Sequence, residues 1–140
     1  MTIKEIQNEI IDEFSMFDDW MQRYEYIIEL GKSLPLIKEE YKTDENLIKG
    51  CQSKVWLQGE EKDDKIVFTA DSDAILTKGI IAILIRAFSN QRAKDILDAN
   101  VDFIDEIGLK EHLSATRANG LVSMIKNIKM YALAFDAKNK

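Results

Sequence analysis

The apolar positions of the chain fall into blocks of two different periods. Ile3, Ile6, Ile10, Phe14 and Phe17 recur in steps of three and four, which puts them on one face of an amphipathic helix. Thr2 and Glu5 frame its start as a capping box, the threonine oxygen accepting from a free N–H of the first turn while the glutamate reaches back. A second helix starts near Asp18 or Asp19 and turns Trp20, Tyr24, Ile27, Ile28 and Leu30 inward, with Gly31 and Pro35 as its stop signals. The period then changes. Val55 and Leu57 alternate with Lys54, Trp56 and Gln58, as residues do on a strand. The polar run 60–65 reads as a turn and 66–70 as the returning strand of an antiparallel hairpin. Only 47–51 is left over for a third strand.

Helical spacing returns after the hairpin. Asp71-Ser72-Asp73 offers an N-cap to a helix in which Ile75, Leu76, Ile80, Ile81, Ile83, Leu84, Ile85 and Phe88 are apolar almost all round. That run falls short of the roughly 18 apolar residues of a membrane span, so it predicts a buried central helix. A short helix is expected over 92–97 and a helical turn over 103–107, closed by Gly108 as a C-terminal cap with Leu109 as its apolar contact. Ser114 caps the last helix, which carries Leu121, Met124, Ile125, Ile128, Tyr131 and Phe135 on one face. Lys126, Lys129 and Lys138 lie toward its end, where cations suit the helix dipole. Helices, hairpin, then helices is an α+β order. It predicts one domain over 1–140, a small antiparallel sheet of about three strands with helices packed on one face.

Composition narrows the function. The 140 residues are 46% apolar and 31% charged with one proline, enough to close a core without disulfide or metal. The formal charge of −6 argues against a nucleic-acid partner, which needs a basic face. Residues 1–45 carry twelve acidic and five basic side chains, so the surplus sits in the N-terminal third. It forms either a solvated helical face or a steering surface for a basic partner. The first residues lack the layout of a secretory signal, and no segment is apolar enough to span a membrane, which makes a cytoplasmic location the default expectation.

A single cysteine excludes an internal disulfide and a Cys-rich zinc site. Cys51 sits in Gly50-Cys51-Gln52-Ser53, just ahead of the strand that begins near Val55. A glycine before it lets the backbone bend and approach another surface. Two readings stay open: a thiol at a loop tip, or a small buried hydrophobe. Lys49, Lys54 and Arg117 would favour the thiolate if they lie near it. His112 would have to be the base of a cysteine hydrolase, but its setting before a helix cap suits a structural residue better. Asp71 and Asp73 read as capping residues as readily as metal ligands. The glycines stand singly, so no phosphate-binding cradle forms.

Three ordered blocks resemble the SufE family of sulfur-acceptor proteins. They are Gly50-Cys51-Gln52-Ser53-Lys54-Val55-Trp56, the run from Asp71-Ser72-Asp73 to Lys78-Gly79, and the run from Leu109 through His112, Ser114 and Arg117 to Gly120-Leu121. Lys54 stands where glutamine is often found. The resemblance implies a SufE/IscU-like fold. It implies that Cys51 carries a persulfide taken from a SufS-type cysteine desulfurase, that the protein stimulates this enzyme, and that the sulfur passes to a SufBCD-type iron–sulfur scaffold. Gly50, Gln52 and Ser53 would be loop pivots, and Asp73 and Arg117 would belong to the loop and partner surface. The thiol would rest in an apolar pocket and swing outward on the partner. No cofactor is implied in this chain, since the pyridoxal phosphate belongs to the desulfurase, and little turnover is implied for the protein alone. The alternative is a CsdE-like acceptor that serves thio-modification through another desulfurase. An iron–sulfur scaffold would need about three or four cysteine ligands, and one is present.

Overall fold

The computed structural model describes residues 1–138. Helices form where the apolar spacing places them: α1 (Ile3–Ser15), α2 (Trp20–Gly31), α3 (Ile75–Phe88), α4 (Ala93–Asp98), α5 (Asp102–Glu106) and α6 (Ala115–Lys138). Their polar caps explain several ends. Thr2 and Glu5 make the capping box of α1 through reciprocal bonds of 2.9 and 3.1 Å. Asp19 accepts from Gln22 N–H at 2.8 Å at the start of α2, and Ser114 Oγ accepts from Arg117 N–H at 3.3 Å at the start of α6. At the end of α5, Gly108 adopts φ +74°, a conformation that glycine enters without a Cβ penalty. Leu109 N–H then reaches Ile104 O at 3.2 Å and Gly108 N–H reaches Asp105 O at 3.0 Å, the paired bonds of a Schellman motif. Leu109 is fully buried as its apolar contact.

The hairpin is longer than the alternation suggests. Strands β1 (Val55–Lys62) and β2 (Lys65–Ser72) pair antiparallel from Val55↔Ser72 to Lys62↔Lys65. The expected turn over 60–65 shrinks to Asp63 and Asp64, both with positive φ, as in the two-residue turns whose twist matches that of a hairpin. Charged side chains do not interrupt a ladder made by the backbone, so Glu60, Glu61 and Lys62 stay in register. The expected third strand does not form. Leu47 makes one antiparallel bridge to Trp56 and Leu36 one parallel bridge to Ala70, leaving a two-stranded sheet with isolated bridges at its margins. The chain leaves the sheet after Ile48 because the following residues are taken up by a loop. Leu57, Ile66, Phe68 and Ala70 face the same core as α3 and α6. Phe68 meets Tyr131 edge-on, and the Tyr131 hydroxyl donates to Leu57 O at 3.2 Å.

α3 is the central element, buried on nearly every side. α2 lies against it so closely that a Cβ at Gly79 would stand 2.1 Å from Ile27 O, and one at Gly31 would stand 3.0 Å from Gly79 N. Gly31 therefore serves packing; it is the last helical residue of α2, and its φ is not positive. Two other expectations change. Asp71 and Asp73 do not cap α3, whose first turn has no side-chain cap bond, because β2 runs on to Ser72 and commits these side chains elsewhere. Asp71 pairs with Lys42 at 2.6 Å and Lys78 at 3.4 Å. Lys129 does not serve the end of its own helix. It donates to Ile96 O and Leu97 O at 2.6 and 3.3 Å, and to Ala99 O, so it closes the C-terminus of α4.

The α2–α3 contact is set by backbone, which cannot rotate away. Gly79→Ala is expected to destabilise the protein by about 3 kcal/mol in a denaturant titration.

Candidate functional site

The loop 49–54 is held at both feet. On one side Ile48, buried, donates from its N–H to Val55 O at 2.8 Å. On the other, Lys54 is gripped by the connection between β2 and α3. Its N–H donates to Asp73 Oδ1 at 3.1 Å, and its carbonyl accepts from Asp73 N–H at 3.2 Å and from Ser72 Oγ at 2.8 Å. This is where the Asp73 carboxylate goes instead of capping α3. Between the two feet the chain projects Gly50 and Gln52 to solvent and turns Cys51 inward.

The inner wall is the start of α6. Gly50 has φ +90°, and a Cβ there would stand 2.7 Å from Ser123 Oγ. Glycine is thus favoured at 50 by backbone conformation and by space. The Cys51 thiol points at Gly120 and donates to its carbonyl at 3.7 Å. A Cβ on Gly120 would lie 3.4 Å from Cys51 Sγ, so the bare helix backbone forms the sulfur's seat. Around the sulfur is a recess of only ≈ 10 Å³. Gln52 and Ser53 of the loop line it, with Thr77 and Ile80 from α3 and Arg117 and Met124 from α6.

Cys51 is half-buried, and that burial pushes its thiol above the ordinary range. The expected cationic activation does not outweigh it. Lys49 and Lys54 are exposed on the loop, where water screens them, and Arg117 lines the recess without reversing the effect of burial. At neutral pH the seated thiol is protonated and weakly nucleophilic.

The structure brings Gly50, Cys51, Gln52, Ser53 and Arg117 together and puts Asp73 at the loop's foot. His112 is elsewhere: it stacks on Trp20 with centroids 4.0 Å apart, and its carbonyl accepts from the Tyr24 hydroxyl at 2.8 Å. The sequence assigned Thr77, Ile80, Gly120, Ser123 and Met124 no role at the cysteine: Ile80 and Met124 read as core positions and Gly120 as part of a motif block. Gly120 carried a signal, since a glycine inside a helix costs about 1 kcal/mol against alanine and so points to close packing. Among the described residues no group of three or more His, Cys, Asp and Glu is placed to hold a metal, and no helix is long and apolar enough to cross a membrane.

The family model described as "SufE: Fe-S metabolism associated domain" matches residues 8–132. An uncharacterized SufE-like protein of Rhizobium meliloti is 47% identical over 131 residues, covering 89% of this chain and 93% of the relative. A second, from Synechocystis, is 35% identical over 126 residues, covering 90% and 79%. SufE-like protein 1, chloroplastic/mitochondrial, of Arabidopsis thaliana is 35% identical over 133 residues, covering 94% of this chain but 36% of that longer protein. The solution structure of a hypothetical protein from Thermus thermophilus has the same fold at 14% identity, with a TM-score of 0.76 over 92% of this chain and 94% of that one. With a seated cysteine on a tethered loop and a family match over most of its length, this chain belongs to the SufE family, associated with iron–sulfur metabolism.

Proposed function

We propose that this protein is a single-domain cytoplasmic sulfur carrier. It takes a persulfide sulfur from a SufS-type cysteine desulfurase onto Cys51, stimulates that enzyme by clearing its product, and hands the sulfur to a SufBCD-type iron–sulfur scaffold. One observation supports this reading above the others. Cys51 sits on a loop with two fixed feet, its thiol sheltered against Gly120 while the residues beside it are exposed. Rotation about Gly50 and the Gln52–Ser53 pair presents the sulfur without disturbing the sheet or α3.

The chemistry balances without an added oxidant. The Cys51 thiol loses its proton on leaving the recess, where water restores an ordinary pKa. Its thiolate attacks the terminal sulfur of the desulfurase persulfide. A new S–S bond forms at Cys51, the S–S bond on the desulfurase breaks, and the desulfurase cysteine departs as thiolate. The same exchange in the other direction delivers the sulfur onward. A lone cysteine suits the task, because a second thiol nearby would attack the persulfide and expel sulfide. The recess keeps the empty thiol protonated and shielded from oxidation between encounters. Asp73 and Arg117 belong to this reading as the loop's anchor and as a side chain at the edge of the partner surface.

Incubation with a SufS-type desulfurase and free cysteine is expected to raise the intact mass by one sulfur atom, mapped to Cys51. Cys51→Ser should lose both that shift and the stimulation of sulfide release. A Cys51→Ser protein that stimulates as well as wild type overturns the carrier role.

Two further outcomes follow from the seat. Gly50→Ala strains the retracted loop at its positive φ even if Ser123 rotates aside, so Cys51 alkylation in the free protein should quicken by about tenfold. The raised Cys51 pKa has a defined sign in stability. Its contribution is fully present below the unfolded thiol value of about 8.5 and is lost as pH rises through the higher folded value. Urea titrations of wild type against Cys51→Ser should show a constant difference below about pH 8 and a relative loss for wild type above it.

A further inference from the structure

Another cavity lies between the start of α1 and α4, with Lys65 of β2 at its edge. It holds ≈ 680 Å³, within the range of small-molecule sites, and shares no lining residue with the recess of the sulfur. Two buried glutamines line it: Gln7 is 2% exposed and Gln91 9%. A buried amide costs free energy unless its hydrogen bonds are made. Each glutamine spends its Nε2 on a main-chain carbonyl. Gln7 donates to Asn100 O at 3.0 Å and Gln91 to Met1 O at 3.1 Å, which ties α1 to the segment around α4 at both ends of the cavity. Neither Oε1 receives a hydrogen bond among the described residues, and neither is among the enclosed side-chain atoms without a partner. Both oxygens are therefore acceptors open to solvent, without a protein donor.

The charges at the rim are ordered along the cavity. Gln91 marks one end. Arg92 follows it in the chain, and Lys65 precedes Ile66, whose N–H donates to Gln91 O at 2.9 Å. Lys4 joins them from the first turn of α1. Among the described residues none of these three cations is paired. The capping box takes the N–H groups of Thr2 and Glu5, which leaves those of Ile3 and Lys4 at the positive end of the helix dipole. Gln7 marks the other end, beside Asn100, with Asp98 and, one turn earlier on α4, Asp95. Three cations at a helix start suit a dianionic group. Carboxamide and carboxylate oxygens suit hydroxyl donors. No aromatic side chain lines the cavity to stack on a nucleobase.

We propose that this cavity binds a phosphorylated sugar. Lys4, Lys65 and Arg92 hold the phosphate at the start of α1, and the sugar hydroxyls donate to the Oε1 atoms of Gln7 and Gln91 and to Asp95 and Asp98. The site goes beyond the carrier reading and does not depend on it, since it includes neither Cys51 nor its loop.

The test is a titration of the intact protein with glucose-6-phosphate, followed by proton–nitrogen NMR. Saturable shifts of the Gln7 and Gln91 side-chain NH₂ signals and of the Ile3 and Lys4 amides are expected, at a Kd on the order of 1 mM or tighter. Glucose and inorganic phosphate should each bind at least about tenfold more weakly. The paired exposed substitutions Lys4→Gln and Arg92→Gln should weaken the sugar phosphate by about tenfold or more, with the rest of the spectrum unchanged. Absence of saturable shifts at Gln7 and Gln91 overturns the proposal. So does inorganic phosphate binding as tightly as the sugar phosphate, which would mark a plain anion site, or wild-type affinity in the paired variant. Tighter binding of diglycine would assign the cavity to a zwitterionic peptide and overturn the sugar phosphate. The titration uses the free protein, so its result and sulfur loading at Cys51, read by mass, fail or stand separately.

Discussion

The contact of the Cys51 loop with the first turns of α6 governs the chemistry of this protein. Two glycines meet two partners there: Gly120 leaves helix backbone bare beneath the sulfur, and Gly50 lets the loop pass over Ser123. A methyl at 120 would touch the sulfur at ordinary contact distance and a larger group would press on it, while any side chain at 50 would strain the backbone at its positive φ. The reactivity of Cys51 is therefore set by close approach of backbone, and burial is the force that raises its pKa. Neighbouring cations, which commonly activate cysteines, are subordinate to burial here.

The loop lies between two firmly held feet. Ile48 and Val55 close one foot, and Asp73 and Ser72 close the other, while β2 continues without interruption into the connection to α3. Beneath the loop, α3 is buried almost all round and locked to α2 through Gly79 and Gly31. α6 is tied down in turn by Lys129, whose ammonium group joins it to the end of α4. Displacement of residues 49–54 would expose one sulfur and little of the core, so shelter and release differ by few contacts.

A buried thiol with a raised pKa is poorly suited to nucleophilic attack. The conflict is resolved if the two tasks are separated in space. Seated, the sulfur is sheltered; presented in the way proposed, it would regain the properties of an ordinary cysteine. A permanently activated thiol on the surface would react with oxidants and stray disulfides as readily as with a persulfide. The acidic surplus of the N-terminal third is carried largely by α1, α2 and the segment up to residue 45, whereas the rim of the recess holds Arg117.

The sequence by itself determined the helices, the hairpin and the cysteine. Apolar periods of three to four and of two survive in any context, and three motif blocks with Cys51 at their head identified the family before any packing was known. It misjudged the turn at Asp63 and Asp64, the third strand and the cap of α3. These depend on backbone ladders, and local side-chain chemistry does not report where a ladder ends. Asp73 shows this most clearly: its position suited a helix cap, and β2 running on to Ser72 gave its carboxylate to Lys54 instead. Only the tertiary structure decided that Gly120 seats the sulfur, that Thr77 shares its recess, and that burial outweighs the nearby lysines and arginine. Those facts join residues from the loop, α3 and α6 that lie far apart in the chain, and desolvation is a property of what surrounds an atom in space.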